Sequence, residues 1–530
     1  MQIKPITILA CAFVALASAG FAVGPKVQSG QPSASVNAIR AGQDCAGLKG
    51  ALAREFGTVV DARNVPASGL AKRWCQVTVE VAHPLASHVT TIWIRLPVEG
   101  WNGRFLGVGG GNFTAGTLGS LLYAPEGFAV GSTDAGHHFA PDEPEGAFAL
   151  DANGRLDWSA IRNLGYRGVH EMTVTGKAVA AAYYGARPHH AYFVGCSSGG
   201  RQGQEEVQRY PGDYNGVISG GPAVSWAHFL AAVMWPHVVM HELQPVASCK
   251  FEAARKAVIA VCDAADGLKD GLVGAPQLCH FDSRRLIGTV TPCGTIDARD
   301  AEVIRRIWDG PRRRDGTRLW TGIPLGASFD LEAATEGDPP QSKPNDFITQ
   351  WFRYFLLQNP RWDPDKLDGA TFEELFDQSV EQYGQVYNTG NPDLSAFAAA
   401  GGKTILWHGM MDQDVSTGGT VDYVDAIRHK LGAARTNEFL RLYLAPNVAH
   451  CGGGDGPQPV LKLDTLIDWV EKGKAPGALL SELRDTSGVV KRSRPLCPYP
   501  QVARYKGRGS IDVASSFECR AAGPKRPIKH

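Results

Sequence analysis

The sequence predicts an α/β fold, with a mainly parallel sheet flanked by helices and one large insertion. Three observations carry this. Short apolar runs alternate with amphipathic ones from Trp74 to Ser219. The run His190–Val194 is joined to a helix-like stretch by the tight turn Gly195-Cys196-Ser197-Ser198-Gly199. The alternation stops near Gly221-Pro222 and resumes only at Lys403.

Taken in order, Trp74–Val81, Thr90–Leu96, Phe105–Gly109 and Gly127–Ser132 are rich in β-branched and aromatic residues and read as strands. Tyr166–Tyr183 places apolar residues at helical spacing and reads as one long amphipathic helix. His190–Val194 reads as a buried strand, Gly199–Tyr210 as the helix behind it and Gly216–Ser219 as the next strand. From there to about Ala398 the chain reads as loop-rich. Gly337-Asp338-Pro339-Pro340 and Asn359-Pro360 act as breakers, and Trp351, Phe352, Tyr354, Phe355 and Trp362 lie among them. Lys403–Trp407 and Glu438–Leu444 return to strand character, and the chain has no repeats. The expected organisation is a leader at 1–22, a linker at 23–40, the first part of an α/β domain at 41–222, an inserted lid at 223–398 and the rest of the domain at 399–530.

The leader, Met1 to about Ala22, has a lone Lys4, the apolar run Ile6–Leu16 and Ala17-Ser18-Ala19, which suits signal peptidase after Ala19. A lipoprotein site at Cys11 is disfavoured because the apolar segment before it is short. The expected destination is the periplasm or the outside of the cell, with no membrane span after cleavage, since no later window is apolar over about 18 residues. Lys and Arg number 53 and Asp and Glu 53, so the chain carries no net charge to attract nucleic acid or an anionic membrane.

Of the 11 cysteines, Cys11 leaves with the leader, and the even remainder in an exported chain favours disulfides over zinc or thiol chemistry. Local spacing suggests Cys45–Cys75, Cys262–Cys279 and Cys497–Cys519 beside Cys196–Cys451, which leaves Cys249 to pair with Cys293. If Cys196 and Cys451 are bonded, their Cα atoms lie roughly 4.4–6.8 Å apart. Ser197, next to Cys196, and His450, next to Cys451, are then a nucleophile and a base held by a covalent clamp.

A Gly-x-Ser-x-Gly turn between strand and helix exposes its serine as a nucleophile elbow, although among 62 glycines the pattern alone is weak and its plain alternative is a glycine-rich turn. The acid in this chain order lies between serine and histidine. After the strand Lys403–Trp407, Asp412 and Asp414 compete. Asp412 comes sooner after the strand and is preferred as the partner of the histidine Nδ1–H, which leaves Asp414 as a solvated loop acid. His408 has no obvious partner and reads as a turn or packing residue.

Within the insertion, Cys262-Asp263-Ala264-Ala265-Asp266-Gly267-Leu268-Lys269-Asp270-Gly271-Leu272 gathers three carboxylates and two glycines. Oxygen donors without His or Cys favour Ca²⁺, with the Leu268 and Leu272 carbonyls as further ligands and Cys262–Cys279 closing the loop. The spacing is not that of an EF-hand, and the plain alternative is an acidic surface turn.

Several stretches together resemble the tannase and feruloyl esterase family, which includes hydrolases of the PET monoester. They are Gly195–Gly200 followed by Arg201-Gln202-Gly203, Tyr210-Pro211-Gly212-Asp213-Tyr214-Asn215-Gly216, Asp263–Leu272, Trp407–Asp412, His450–Gly454 and Arg494-Pro495-Leu496-Cys497-Pro498-Tyr499-Pro500. The resemblance implies an α/β-hydrolase fold with a lid, the triad Ser197, Asp412 and His450, the disulfide beside it, and a structural Ca²⁺ held by Asp263, Asp266, Asp270 and the two leucine carbonyls. Gly109-Gly110-Gly111 matches the family's glycine-rich stretch, so the expected oxyanion donors are the backbone N–H groups of Ser198 and Gly110.

The expected activity is hydrolysis of aromatic carboxylic esters, feruloyl or galloyl, through an acyl-enzyme and without an organic cofactor. The substrate would be a small aromatic ester or a plant polyphenol or polysaccharide ester. Trp351 is the aromatic residue singled out for stacking on the acid ring. For a PET monoester the chain departs from the family pattern: Thr349 stands where an arginine is expected and Val415 where a phenylalanine is, while Arg353 is a substitute for the arginine. That activity therefore ranks lower. The alternative of another class is an inactive, secreted calcium-binding relative of hydrolases.

Overall fold

The computed structural model describes residues 44–67, 72–83, 88–137 and 143–521. The expected leader and linker lie outside the described residues.

One nine-stranded sheet organises the molecule. Its strands are β1 Thr58–Val65, β2 Trp74–Val81, β3 Thr90–Pro97, β4 Arg104–Val108, β5 Ala129–Thr133, β6 His190–Cys196, β7 Gly216–Gly220, β8 Lys403–Gly409 and β9 Leu440–Ala445. They lie in the order β1-β2-β3-β5-β4-β6-β7-β8-β9. From β5 to β9 every pairing is parallel. From β1 to β5 every pairing is antiparallel. The sheet is thus mixed, and β1 is a strand that apolar patterning missed. Its run of Asp61, Arg63 and Asn64 is that of an edge strand with one wet side.

The parallel strands are buried on both faces, so they read as continuous apolar runs. On one face Phe105 packs beneath the helix Gly168–Tyr184, where a Cβ on Gly176 would lie 2.6 Å from its ring, and Phe193 and Val217 pack beneath the helix Ser198–Arg209, where a Cβ on Gly203 would lie 2.9 Å from Val217. On the other face Leu106, Tyr192, Ile218 and Ile405 meet Leu466 and Trp469 of the helix Leu463–Lys472. The strand expected from Glu438 starts two residues later, because Ala433–Phe439 is a helix.

The segment between β7 and β8 adds no strand to this sheet among the described residues. It is helical rather than loop-rich, with Trp226–Ala232, Trp235–Glu242, Ser248–Cys262, Ala298–Asp309 and Gly369–Tyr387 as its main helices. Trp226–Ala232 and Trp235–Glu242 span only about two turns each, too short to show a clear helical period in sequence. Beyond β9, the hairpin Leu479–Arg484/Val490–Leu496 and the pair Gln501–Tyr505/Phe517–Ala521 close the chain. No helix among the described residues is long and apolar enough to cross a membrane.

Candidate active site

β6 ends at Cys196, the next residue Ser197 has a left-handed backbone (φ 62°, ψ −125°), and the helix Ser198–Arg209 follows at once. This is a strained strand-to-helix turn. The flanking glycines are required by space. A Cβ on Gly195 would lie 2.4 Å from the Gly199 carbonyl, and one on Gly199 would lie 2.7 Å from the Gly110 carbonyl oxygen. The Ser198 N–H belongs to the first helical turn, where backbone donors have no partner within the helix.

Gln202, one turn along that helix, stitches it to the glycine-rich loop after β4. Its Oε1 accepts from the Gly110 N–H (3.1 Å), its Nε2 donates to the Thr114 carbonyl (3.2 Å), and Gly199 N donates to the Gly110 carbonyl (3.1 Å). The expectation of Gly110 as an oxyanion donor is therefore corrected, because its N–H is already engaged. The neighbouring Gly111 N–H makes only a 3.4 Å contact to Thr114 Oγ1, with open space beside its Cα.

Asp412 lies in the turn after β8 and is 1 % exposed. Its Oδ1 accepts from the N–H groups of Asp414 (2.9 Å) and Val415 (2.8 Å). Its Oδ2 lies 2.7 Å from His450 Nδ1 and 3.0 Å from His408 Nε2. Burial pushes this carboxyl up, but the His450 charge and the hydrogen bonds from His408 and His450 outweigh burial and hold it well below the usual range.

His408 was expected to lack a partner and has three. It is fully enclosed, with Nε2 against Asp412 and the Val415 carbonyl (2.8 Å) and Nδ1 against Thr420 Oγ1 (2.9 Å). Both neighbours of Nε2 are acceptors, so Nε2 carries a proton.

His450 follows β9 on a loop whose N–H reaches Gln413 Oε1 (3.2 Å). Its Nε2 faces Asp414 Oδ2 and Cys451 Sγ, each at 3.6 Å. Burial alone would lower its pKa, but the charges of Asp412 and Asp414 and the bond to Asp412 raise it to about 9. Asp414 is thus no solvated loop acid. Its side chain is 16 % exposed, and burial, eased by His450 and augmented by Asp412, raises its pKa. Among the described residues Ser197 Oγ makes no hydrogen bond to His450 in this conformation. Such bonds are often long in free hydrolases and tighten with substrate.

Cys196 and Cys451 are bonded, with Cα atoms 6.0 Å apart across 255 residues of sequence. The other four pairs also form as expected: Cys45–Cys75, Cys249–Cys293, Cys262–Cys279 and Cys497–Cys519.

One recess, bounded by Phe229, Trp320, Glu332, Asp412, Asp414 and Ser416, adjoins the acid, and a second, bounded by Val224, Trp320, Val415 and Gly419, lies next to it. Val415 is 5 % exposed. Trp320 and Glu332 were missed in the sequence, where no spacing links them to residues so far downstream.

The other substrate residues are corrected by packing. Trp351 is 0 % exposed, stacks on Phe355, meets Tyr383 edge-on and donates its Nε1–H to Ser379 Oγ (3.0 Å), so no face of the ring is left for a ligand. Arg353 donates to the Trp362 carbonyl (2.9 Å) and pairs with Asp346 (3.6 Å). Thr349 is buried and donates to the Asn345 carbonyl.

The acidic loop turns at Gly267 and Gly271, both left-handed. Asp263 Oδ1 accepts from the N–H groups of Asp270 (2.8 Å) and Gly271 (2.9 Å), Asp266 Oδ1 from Leu268 (2.9 Å) and Asp270 Oδ1 from Leu272 (3.1 Å). From the C-terminal hairpin Arg494 pairs with Asp270 Oδ2, and Arg492 donates to the Asp270 carbonyl (2.7 Å). Burial, offset by the Leu268 N–H and increased by the charges of Asp270 and Asp263, raises the Asp266 pKa. The acids of this loop repel one another, and Arg494 is the cation paired with Asp270 here. Elsewhere among the described residues, His170, Glu206 and Asp213 bring three ligand-type atoms within 4.8 Å of one another. There Lys177 Nζ bonds the Asp213 carbonyl, so a cation already serves that cluster.

A family model described as "Tannase and feruloyl esterase" matches residues 75–520. A protein of Arthroderma benhamiae described as "Probable feruloyl esterase" is 38 % identical over 461 residues, covering 84 % of this chain and 85 % of the relative. The mono(2-hydroxyethyl) terephthalate hydrolase of Piscinibacter sakaiensis is 33 % identical over 513 residues, covering 81 % of each. Among solved structures, the tannin acyl hydrolase of Aspergillus niger superposes with a TM-score of 0.81 at 25 % identity, covering 90 % of this chain and 95 % of that one.

Proposed function

The chain belongs to the tannase and feruloyl esterase family and is a carboxylic ester hydrolase of that type, and from this we propose that it is an exported serine esterase acting on feruloyl or galloyl esters. The observation that carries the reading is the Cys196–Cys451 bond, which ties the residue before Ser197 to the residue after His450 while Asp412 lies 2.7 Å from the His450 Nδ1.

In this mechanism Asp412 fixes the tautomer and orientation of His450. His450 Nε2 takes the Ser197 proton as Oγ attacks the ester carbonyl. The tetrahedral oxyanion is received by the Ser198 N–H and a donor from the glycine loop, where the Gly111 N–H is held only by its long 3.4 Å bond to Thr114 Oγ1. The bond to the alcohol oxygen then breaks, His450 returns its proton to that oxygen, and water hydrolyses the acyl-enzyme by the same route. Residues 223–398 act as the lid that selects the ester.

Asp263, Asp266 and Asp270, with the Leu268 and Leu272 carbonyls, would hold a Ca²⁺ whose contribution is structural. Export to the periplasm or beyond is supported by the five disulfides, which persist in oxidising compartments.

Monoester hydrolysis of terephthalate is favoured by the 33 % identical relative alone. It ranks second, because Arg353 is committed to Trp362 and Asp346 and is not free for a carboxylate. The test is a panel of methyl ferulate, methyl gallate and mono(hydroxyethyl) terephthalate, compared by kcat/KM, with labelling of Ser197 by a fluorophosphonate. The first two esters should lead, and loss of the adduct in Ser197→Ala should locate the nucleophile. A folded, calcium-loaded chain that never labels would favour the inactive binding protein instead.

A further inference from the structure

This inference rests on the serine-esterase reading above. His450 has a carboxylate on each ring nitrogen: Asp412 Oδ2 at 2.7 Å from Nδ1 and Asp414 Oδ2 at 3.6 Å from Nε2. Both acids ride on one turn, since Asp412 Oδ1 also accepts the Asp414 N–H. The roles differ with the nitrogen. A carboxylate on Nδ1 orients the base, whereas one on Nε2 stands where the serine hydroxyl has to be received.

A neutral imidazole has one N–H and one lone pair. With Nδ1–H given to Asp412, its Nε2 lone pair meets the Asp414 carboxylate unfavourably, while an imidazolium satisfies both acids. The Asp414 carboxylate has no other partner among the described residues. We propose that Asp414 is a positioning residue that holds the free enzyme in a resting form, with a protonated His450 turned to Asp414, and that Ser197 gains its base only when this proton is lost.

The groups facing this pair are few. Asp412 lies on the same turn, His408 backs Asp412 from the end of β8, and Gln413 accepts the His450 N–H. Glu332 borders the same recess from the insertion. Burial, followed by the charges of Asp414 and Asp412, pushes the Glu332 carboxyl well up, which disfavours a third negative charge beside the pair. His450 itself is raised to about 9, in the direction that a paired imidazolium requires.

The experiment uses the second-order rate of Ser197 labelling by a fluorophosphonate as a function of pH, which needs a neutral base but no knowledge of the natural ester. Wild type is compared with Asp414→Asn, which keeps the shape, and Asp414→Ala, which adds no new donor. Wild-type labelling should rise with pH towards about 9. In both variants the acidic limb should move down by about one pH unit or more, giving roughly tenfold faster labelling at pH 7. A purely structural role would change thermal stability without moving that limb. An unmoved limb in variants that still label overturns the role of Asp414 and leaves the esterase reading intact. A wild type that gives no adduct at any pH overturns the esterase reading itself, and the role of Asp414 with it.

Discussion

The Nε2 of His408 lies 3.0 Å from the Oδ2 of Asp412, on the same oxygen that receives His450 Nδ1. Asp412 therefore has four donors and no exposed lone pair to spare, with two backbone N–H groups on one oxygen and two imidazoles on the other. Removing one donor from a buried carboxylate leaves that charge undersatisfied, at a cost of about 1–3 kcal/mol. His408→Gln should lower kcat about tenfold to a hundredfold with little change in KM, and Asp412→Asn should lower it on the order of 10⁴-fold. Steady-state kinetics on methyl ferulate or methyl gallate decide it; a His408 variant with wild-type kcat would show the second imidazole to be mere packing.

The clamp yields a separate expectation. Cys196 and Cys451 hold their Cα atoms 6.0 Å apart, so the bond limits how far Ser197 and His450 can separate. The double variant Cys196→Ala, Cys451→Ala should lose more in kcat than in yield of folded protein. Normal turnover at normal yield would remove the clamp from the catalytic argument.

The acidic loop makes the third. If Asp263, Asp266 and Asp270 hold Ca²⁺, a chelator should lower Tm and added Ca²⁺ should restore it, because a ligand of the native state stabilises it by mass action. Asp266→Asn should blunt the response, and metal analysis of the purified protein should return about one Ca²⁺ per chain. A Tm indifferent to chelator, with no calcium in the protein, would leave the loop as an acidic turn latched by Arg494.

Much of this site was legible because it is written in local chemistry. The Gly195–Gly199 turn admits only small residues where backbones meet, strands buried on both faces must be apolar, and an even set of cysteines at local spacings points to pairing. What stayed hidden depends on where side chains point. Nothing in the spacing of His408, Asp412 and Asp414 says that one faces the acid from behind while another faces the base from the front. Trp351 misled for the same reason, since an aromatic run at helical spacing looks alike whether it lines a pocket or a core. The two shortest of the insertion's helices were obscured by their length, and the longer ones by the glycines and prolines between them.

Arg492 and Arg494, which grip Asp270, lie beyond His450 in the chain. Made from its N-terminus, the protein therefore exposes Ser197 long before the base, the second half of the clamp or the latch on the acidic loop exists. On the proposed roles of Ser197 and His450, a nascent chain stalled before residue 450 would carry a nucleophile with nothing to activate it. Competence would then arrive late and nearly all at once, and a truncated translation product should cleave no ester.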